Sequence, residues 1–217
     1  MNENKIFGIG LSKTATTSLN RALVDLDFNA VHGVTSLLEW RGSKLLTMLC
    51  NIANRLVMKF NCEFLLIRPL LYRFGENKFH FEKLADYDSV SDLPIGIYYR
   101  ELDKLYPGSK YILTTRDEEQ WVESAKRHFH INKATQKINS WNKMRIETYG
   151  CILFDEKKFR SAYREHIRDV REYFKERPND LLEVDLCNGP EWDSICEFLG
   201  CETPNKAFPH MNKTKSA

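Results

Sequence analysis

The opening of this chain constrains its fold more than any other feature. Lys5–Ile9 (K-I-F-G-I) reads as a short buried strand and Gly10–Thr16 as a loop. From Thr17 onward, Leu19, Ala22, Leu23 and Leu26 fall at i, i+3, i+4 and i+7, which is one face of a helix. Phe28–His32 is a second short apolar strand. A strand, loop, helix and strand in that order start a parallel sheet, because parallel strands need a long, right-handed crossover. The expected fold class is therefore α/β, with a central parallel β-sheet flanked by helices in three layers.

The rest of the chain fits that plan. Gly96–Tyr106 reads as a helix stopped by Pro107-Gly108, and Lys110–Thr115 (K-Y-I-L-T-T) is the clearest strand. Asp117 can cap the next helix, with Gln120 three residues on, and Trp121, Ala125 and His128 share a face of it. Phe159, Ala162, Tyr163, Ile167, Val170 and Phe174 mark a long amphipathic helix ending near Pro178. Leu181–Val184 is a last strand, and Trp192–Leu199 a short helix closed by Gly200. The stretch of about 33–88 has no clean strand pattern and reads as mostly helical, lying over one end of the sheet. One domain over 1–217 is expected, with 33–88 as its helical insertion.

Composition narrows the function classes. A formal net charge of +2 is too even for a general nucleic-acid binder, so no nucleic-acid partner is expected and any basic site is local. The six cysteines (50, 62, 151, 187, 196 and 201) form no C-x-x-C pair and no zinc-ligand spacing, and read as reduced thiols of a cytoplasmic protein. Met-Asn-Glu-Asn-Lys runs directly into the first strand, so no signal peptide is expected. The most apolar region, Leu37–Tyr72, is broken by Arg41, Lys44, Arg55, Lys59, Glu63 and Arg68, so no membrane span is expected.

The chemistry concentrates between the first strand and first helix, where an open parallel sheet binds ligands. In Gly8-Ile9-Gly10-Leu11-Ser12-Lys13-Thr14-Ala15-Thr16-Thr17-Ser18, the loop and helix-start amides attract anions and Lys13 adds a full charge. The hydroxyls of Thr14, Thr16, Thr17 and Ser18 can meet the same oxygens. Simple helix capping by Ser and Thr is the plainer alternative, but four hydroxyls beside one Lys exceed what a cap needs. A nucleotide kinase loop would read G-x-x-x-x-G-K-[ST]. Here Ser12 precedes Lys13 and Phe7 stands at the first glycine position, while Asp185 after Val184 is the one candidate magnesium carboxylate. Arg116 follows the strand K-Y-I-L-T-T, with Ser124 eight residues later, about two helical turns. The two can meet on one anion, the guanidinium taking two oxygens. Taken alone, a surface Arg and a helical Ser explain this pair as well.

K-x-[ST]-x-T-[TS] after the first strand, with Arg116 and Ser124 later, resembles the sulfotransferases that use 3′-phosphoadenosine-5′-phosphosulfate (PAPS), members of the P-loop sulfotransferase superfamily. Asp92–Phe129 is similar to the compact type of that family, and Phe208-Pro209-His210-Met211-Asn212 resembles its C-terminal loop. The resemblance is weak over 33–87. It implies a P-loop-type fold and PAPS as co-substrate, with adenosine 3′,5′-bisphosphate as product and no required metal. Ser12, Lys13, Thr14, Ala15, Thr16, Thr17 and Ser18 would hold the 5′-phosphosulfate. Arg116 and Ser124 would hold the 3′-phosphate, and the loop around His210 and Asn212 would close over the nucleotide. Where relatives carry Gly this chain has Ala15, tolerable if the backbone is helical there and costly if φ is positive. Lys13 would neutralise the leaving group. His32 is the first choice for general base, then Asp92, then Glu39. The acceptor would be a small molecule, lipid, carbohydrate or peptide tyrosine offering a hydroxyl or amine, and a homodimer is an allowed state. A nucleotide-dependent kinase and a silent nucleotide-binding module are the alternative functions.

Overall fold

A computed structural model describes residues 4–34, 37–41, 45, 48–49, 52, 76–129, 140–189 and 192–211. Five parallel strands form the central sheet: β1 (Ile6–Gly8), β2 (Ala30–His32), β5 (Ser89–Ser91), β6 (Lys110–Thr114) and β7 (Leu181–Val184), in the order β2-β5-β1-β6-β7. Six α-helices are described: α1 (Thr16–Asp25), α2 (Tyr99–Leu105), α3 (Glu118–His128), α4 (Ser140–Tyr149), α5 (Glu156–Phe174) and α6 (Trp192–Leu199). Two further strands, β3 (Leu38–Arg41) and β4 (Glu76–Phe79), pair antiparallel as a separate two-stranded sheet.

The period-2 pleat divides the strand side chains between two cores. Phe7, Tyr111 and Leu113 join Tyr99, Trp121, Phe159, Tyr163 and Phe174 on one face of the sheet. Ile6 and Ile112 join Leu19, Leu23, Trp192 and Ile195 on the other. Three layers follow, as the class expected from the sequence requires. The predicted cap forms as well: Asp117 accepts from the Gln120 amide at 3.0 Å. Asp155, which the sequence reading did not single out, likewise accepts from the Lys158 amide at 3.1 Å.

The sequence expectations need adjustment in this region. The described parts of 33–88 mix strand with helix: β3 and β4 pair, Phe81–Leu84 is a 3-10 turn, and residues 45, 48, 49 and 52 are helical. The strand β5 is only Ser-Val-Ser, too short and polar for an apolar pattern to show, yet both serines are fully buried. It inserts between β1 and β2, the two strands that α1 connects. Its small side chains are what let it pack: a Cβ at Gly8 would stand 2.6 Å from that of Ser91. The register sets Gly8, Ser91 and His32 level at the carboxyl ends of β1, β5 and β2.

Candidate active site

Every strand of the central sheet delivers residues to one cleft of about 780 Å³ at the carboxyl edge. The loop after β1 brings Ser12, Lys13, Ala15, Thr16, Thr17 and Ser18; β2 ends in His32; Asp92 follows β5. Arg116 comes just after β6, and Ser124 from the helix beyond it. Leu186 and Cys187 follow β7, while His210 and Met211 close the cleft from the C-terminal loop. The cleft runs unbroken from Lys13 to Arg116 and is of a size that takes a nucleotide.

The loop after β1 is held by close backbone packing and strain. A Cβ at Gly10 would lie 2.0 Å from Thr114 Oγ1, so only glycine fits. Lys13, Ala15 and Asp92 have φ of 78°, 65° and 72°, in the left-handed region that non-glycine residues rarely enter. The conditional on Ala15 therefore resolves to its unfavourable branch. No side chain caps α1, so its first amides open towards the cleft with the positive end of the helix dipole. Among the described residues no carboxylate pairs with Lys13, leaving its ammonium for a ligand.

The loop hydroxyls divide by role. Thr14 is fully buried; it donates to the Leu11 carbonyl at 2.7 Å and therefore accepts from Thr114 at 2.7 Å. Its hydroxyl does not reach the cleft, which corrects its assignment as an anion ligand. Ser12 donates to Asp92 Oδ1 at 2.8 Å, and its carbonyl accepts from Trp121 Nε1 at 3.0 Å. Ser18 Oγ accepts from the Met211 amide at 2.9 Å, tying the C-terminal loop to α1. Thr16 and Thr17 face His32, whose Nε2 lies 3.1 and 3.3 Å from their hydroxyls and 3.5 Å from Asp92 Oδ2.

Arg116 is aimed by its backbone. Tyr163 accepts from the Arg116 amide at 2.9 Å and donates to its carbonyl at 2.5 Å. The donated bond needs a protonated phenol, and burial pushes the Tyr163 pKa up to about 12. Tyr163 is itself stacked on Trp121 with ring centroids 4.4 Å apart. The Arg116 Nε is buried without a hydrogen-bond partner, and one terminal nitrogen reaches Gln120 at a long 3.4 Å. A buried donor left open in this way is costly unless a ligand meets it.

The remaining sequence candidates fall elsewhere. Glu39, on β3, holds His80 Nε2 at 3.1 Å and does not line the cleft. Asp185, the candidate magnesium carboxylate, accepts from the Cys187 amide and the Asn188 side chain at 2.8 and 2.7 Å, closing a turn instead. Asn212 lies outside the described residues. Sequence reading missed Arg127, His128 and Trp141 as cleft residues. His128 sits one turn beyond Ser124, a spacing that could have flagged it, but it was grouped with buried Trp121 and Ala125. Burial, then the nearby charges of Lys13 and Arg145, hold its imidazole pKa below the usual value.

Among the described residues no cluster of three or more His, Cys, Asp or Glu side chains is arranged to hold a metal ion. No described helix is long and apolar enough to cross a membrane. Cys151, Cys187, Cys196 and Cys201 are free thiols.

Fold and cleft together define an α/β protein with one cleft gathered at the carboxyl edge of its central sheet. Comparison with known families matches residues 5–217 to the sulfotransferase domain, and the chain belongs to that family. Ava biosynthesis cluster protein M of Aspergillus versicolor is 29% identical over 157 residues, covering 60% of this chain and 56% of the relative. The chain thus spans about half the length of that curated relative.

Proposed function

We propose that the chain moves a sulfuryl group from PAPS to an acceptor hydroxyl or amine and releases adenosine 3′,5′-bisphosphate. The observation that carries this reading is the single cleft joining the Lys13 loop to Arg116 and Ser124. Two cationic groups from different strand ends lining one nucleotide-sized groove suit a ligand with two charged groups. Lys13, the first amides of α1 and the Thr16 and Thr17 hydroxyls would hold the 5′-phosphosulfate. Arg116 and Ser124 would hold the 3′-phosphate. His210 and Met211 would cover the nucleotide.

Transfer then proceeds in line. The acceptor oxygen or nitrogen forms a bond to sulfur as the bond from sulfur to the 5′-phosphate oxygen breaks, and the electron pair stays on that oxygen. Such a loose, charged transition state depends on positioning and electrostatics. Lys13 neutralises the charge growing on the leaving oxygen. Asp92 takes the acceptor's proton: its side chain is only 14% exposed, its Oδ1 is fixed by Ser12 and its backbone is held in a strained conformation inside the cleft. The acceptor would be a small molecule, lipid or carbohydrate.

The test is a screen of phenols, sugars, sterols and amines with PAPS labelled in the sulfuryl group. Label should appear on one acceptor class, and Lys13→Ala should abolish its appearance without lowering Tm. Bisphosphate binding with no label transfer to any class would favour a silent nucleotide-binding module instead. Label transfer by Lys13→Ala at the wild-type rate would remove Lys13 from the reaction.

A further inference from the structure

We propose that His32 is a positioning residue for the sulfuryl donor: its Nε2–H turns the Thr16 and Thr17 hydroxyl hydrogens out toward the phosphosulfate. This rests on the sulfotransferase reading above and gives His32 a role other than general base.

The argument starts from one crowded atom. His32 is the last residue of the edge strand β2, and its Nε2 has three oxygens around it. Thr16 Oγ1 is at 3.1 Å, Thr17 Oγ1 at 3.3 Å and Asp92 Oδ2 at 3.5 Å. A ring nitrogen offers either one hydrogen or one lone pair, never both. If Nε2 offered its lone pair, a threonine would spend its hydrogen on the ring. The hydroxyl would then turn lone pairs toward the cleft, where an anion must bind, and an unprotonated nitrogen would face the Asp92 carboxylate.

A hydrogen on Nε2 removes both conflicts. The carboxylate is an acceptor only, so its field favours the tautomer with hydrogen on the near nitrogen. The threonine oxygens then accept from Nε2, and their own hydrogens are left to rotate outward. Both residues belong to the first turn of α1, whose amides open the same way. His32 thus converts two ambivalent hydroxyls into donors aligned with the helix end and with Lys13. Ser12 completes the chain by fixing the other oxygen of Asp92 at 2.8 Å. A nitrogen engaged in this way has no lone pair for an acceptor's proton.

The two roles separate on ligand affinity. Calorimetry would compare adenosine 3′,5′-bisphosphate with adenosine 3′-monophosphate, which lacks the 5′-phosphate that Thr16 and Thr17 would meet. In His32→Ala the bisphosphate Kd should rise about tenfold while the 3′-monophosphate Kd holds, since one or two aligned hydrogen bonds are lost at the 5′ end only. His32→Gln, which places an amide N–H near the position of Nε2, should recover most of the loss. In a Thr16→Val, Thr17→Val background, His32→Ala should cost nothing further. Unchanged bisphosphate affinity in His32→Ala, or equal weakening of both ligands, would overturn the proposal while leaving the sulfotransferase reading intact. Failure of the wild type to bind the bisphosphate would overturn both.

Discussion

Replacing Arg116 by Ala should separate the two ends of the nucleotide site. The guanidinium has a buried Nε with no partner and a single long contact to Gln120, so little in the protein replaces the ligand it would lose. Its backbone stays pinned by Tyr163 in the variant, because both of those bonds are to the main chain. A guanidinium gripping a phosphate contributes two charge-assisted hydrogen bonds, each on the order of 1.5–3 kcal/mol. Water entering the open cleft would recover part of that sum. A net loss of about 3–4 kcal/mol is expected, a rise in Kd of roughly 100- to 1,000-fold. Calorimetric titration with adenosine 3′,5′-bisphosphate should show that loss, whereas adenosine 5′-monophosphate, lacking the 3′-phosphate, should bind variant and wild type within about threefold. Equal loss for both ligands, or bisphosphate affinity retained, would refute the assignment of Arg116 to the 3′-phosphate.

Ala15→Gly should raise Tm by about 1–4 °C in thermal unfolding, because relief of left-handed strain of roughly 1–2 kcal/mol exceeds the added chain entropy of about 0.4–1 kcal/mol; a lower Tm would show that the loop tolerates the methyl without strain. His166 donates from Nε2 to the Ile9 carbonyl at 2.8 Å, and burial lowers its pKa. Its folded value lies below its unfolded one, so its contribution is full above about pH 6.5 and is lost as pH falls through that region; denaturant titrations from pH 8 to 5 should show the decline, and His166→Gln should flatten it. Asp103 accepts from both terminal nitrogens of Arg177 at 3.0 and 2.7 Å and from Tyr173 at 2.7 Å. Asp103→Asn should cost about 2 kcal/mol, a fall of about 4–8 °C in Tm, with Arg177 part-exposed and so less than a fully buried pair would lose.

What could be read from the sequence follows from how each signal arises. The helix Glu156–Phe174 and the strand Lys110–Thr114 were legible, though not to the residue at their ends, because their apolar periodicity is long or dense. The loop around Lys13 and the pair Arg116 and Ser124 were legible because charge and hydroxyls cluster beside a β-to-α transition. The strand Ser89–Ser91 was hidden: its fit comes from small volume against Gly8, which leaves no hydrophobic trace. Thr14 carried the same chemical signal as Thr16 and Thr17, and only the backbone turn at Lys13 and Ala15 sends its hydroxyl toward Thr114 instead. Trp141 and Cys187 reach the cleft through tertiary placement, to which local sequence is blind.

The most direct test of a two-ended nucleotide grip is titration of the wild-type protein with adenosine 3′,5′-bisphosphate and, separately, with ATP plus magnesium. The bisphosphate should bind one per chain, without added metal, at least about 100-fold more tightly than the magnesium nucleotide. Preference for ATP with magnesium would contradict the account and return the chain to the kinase reading.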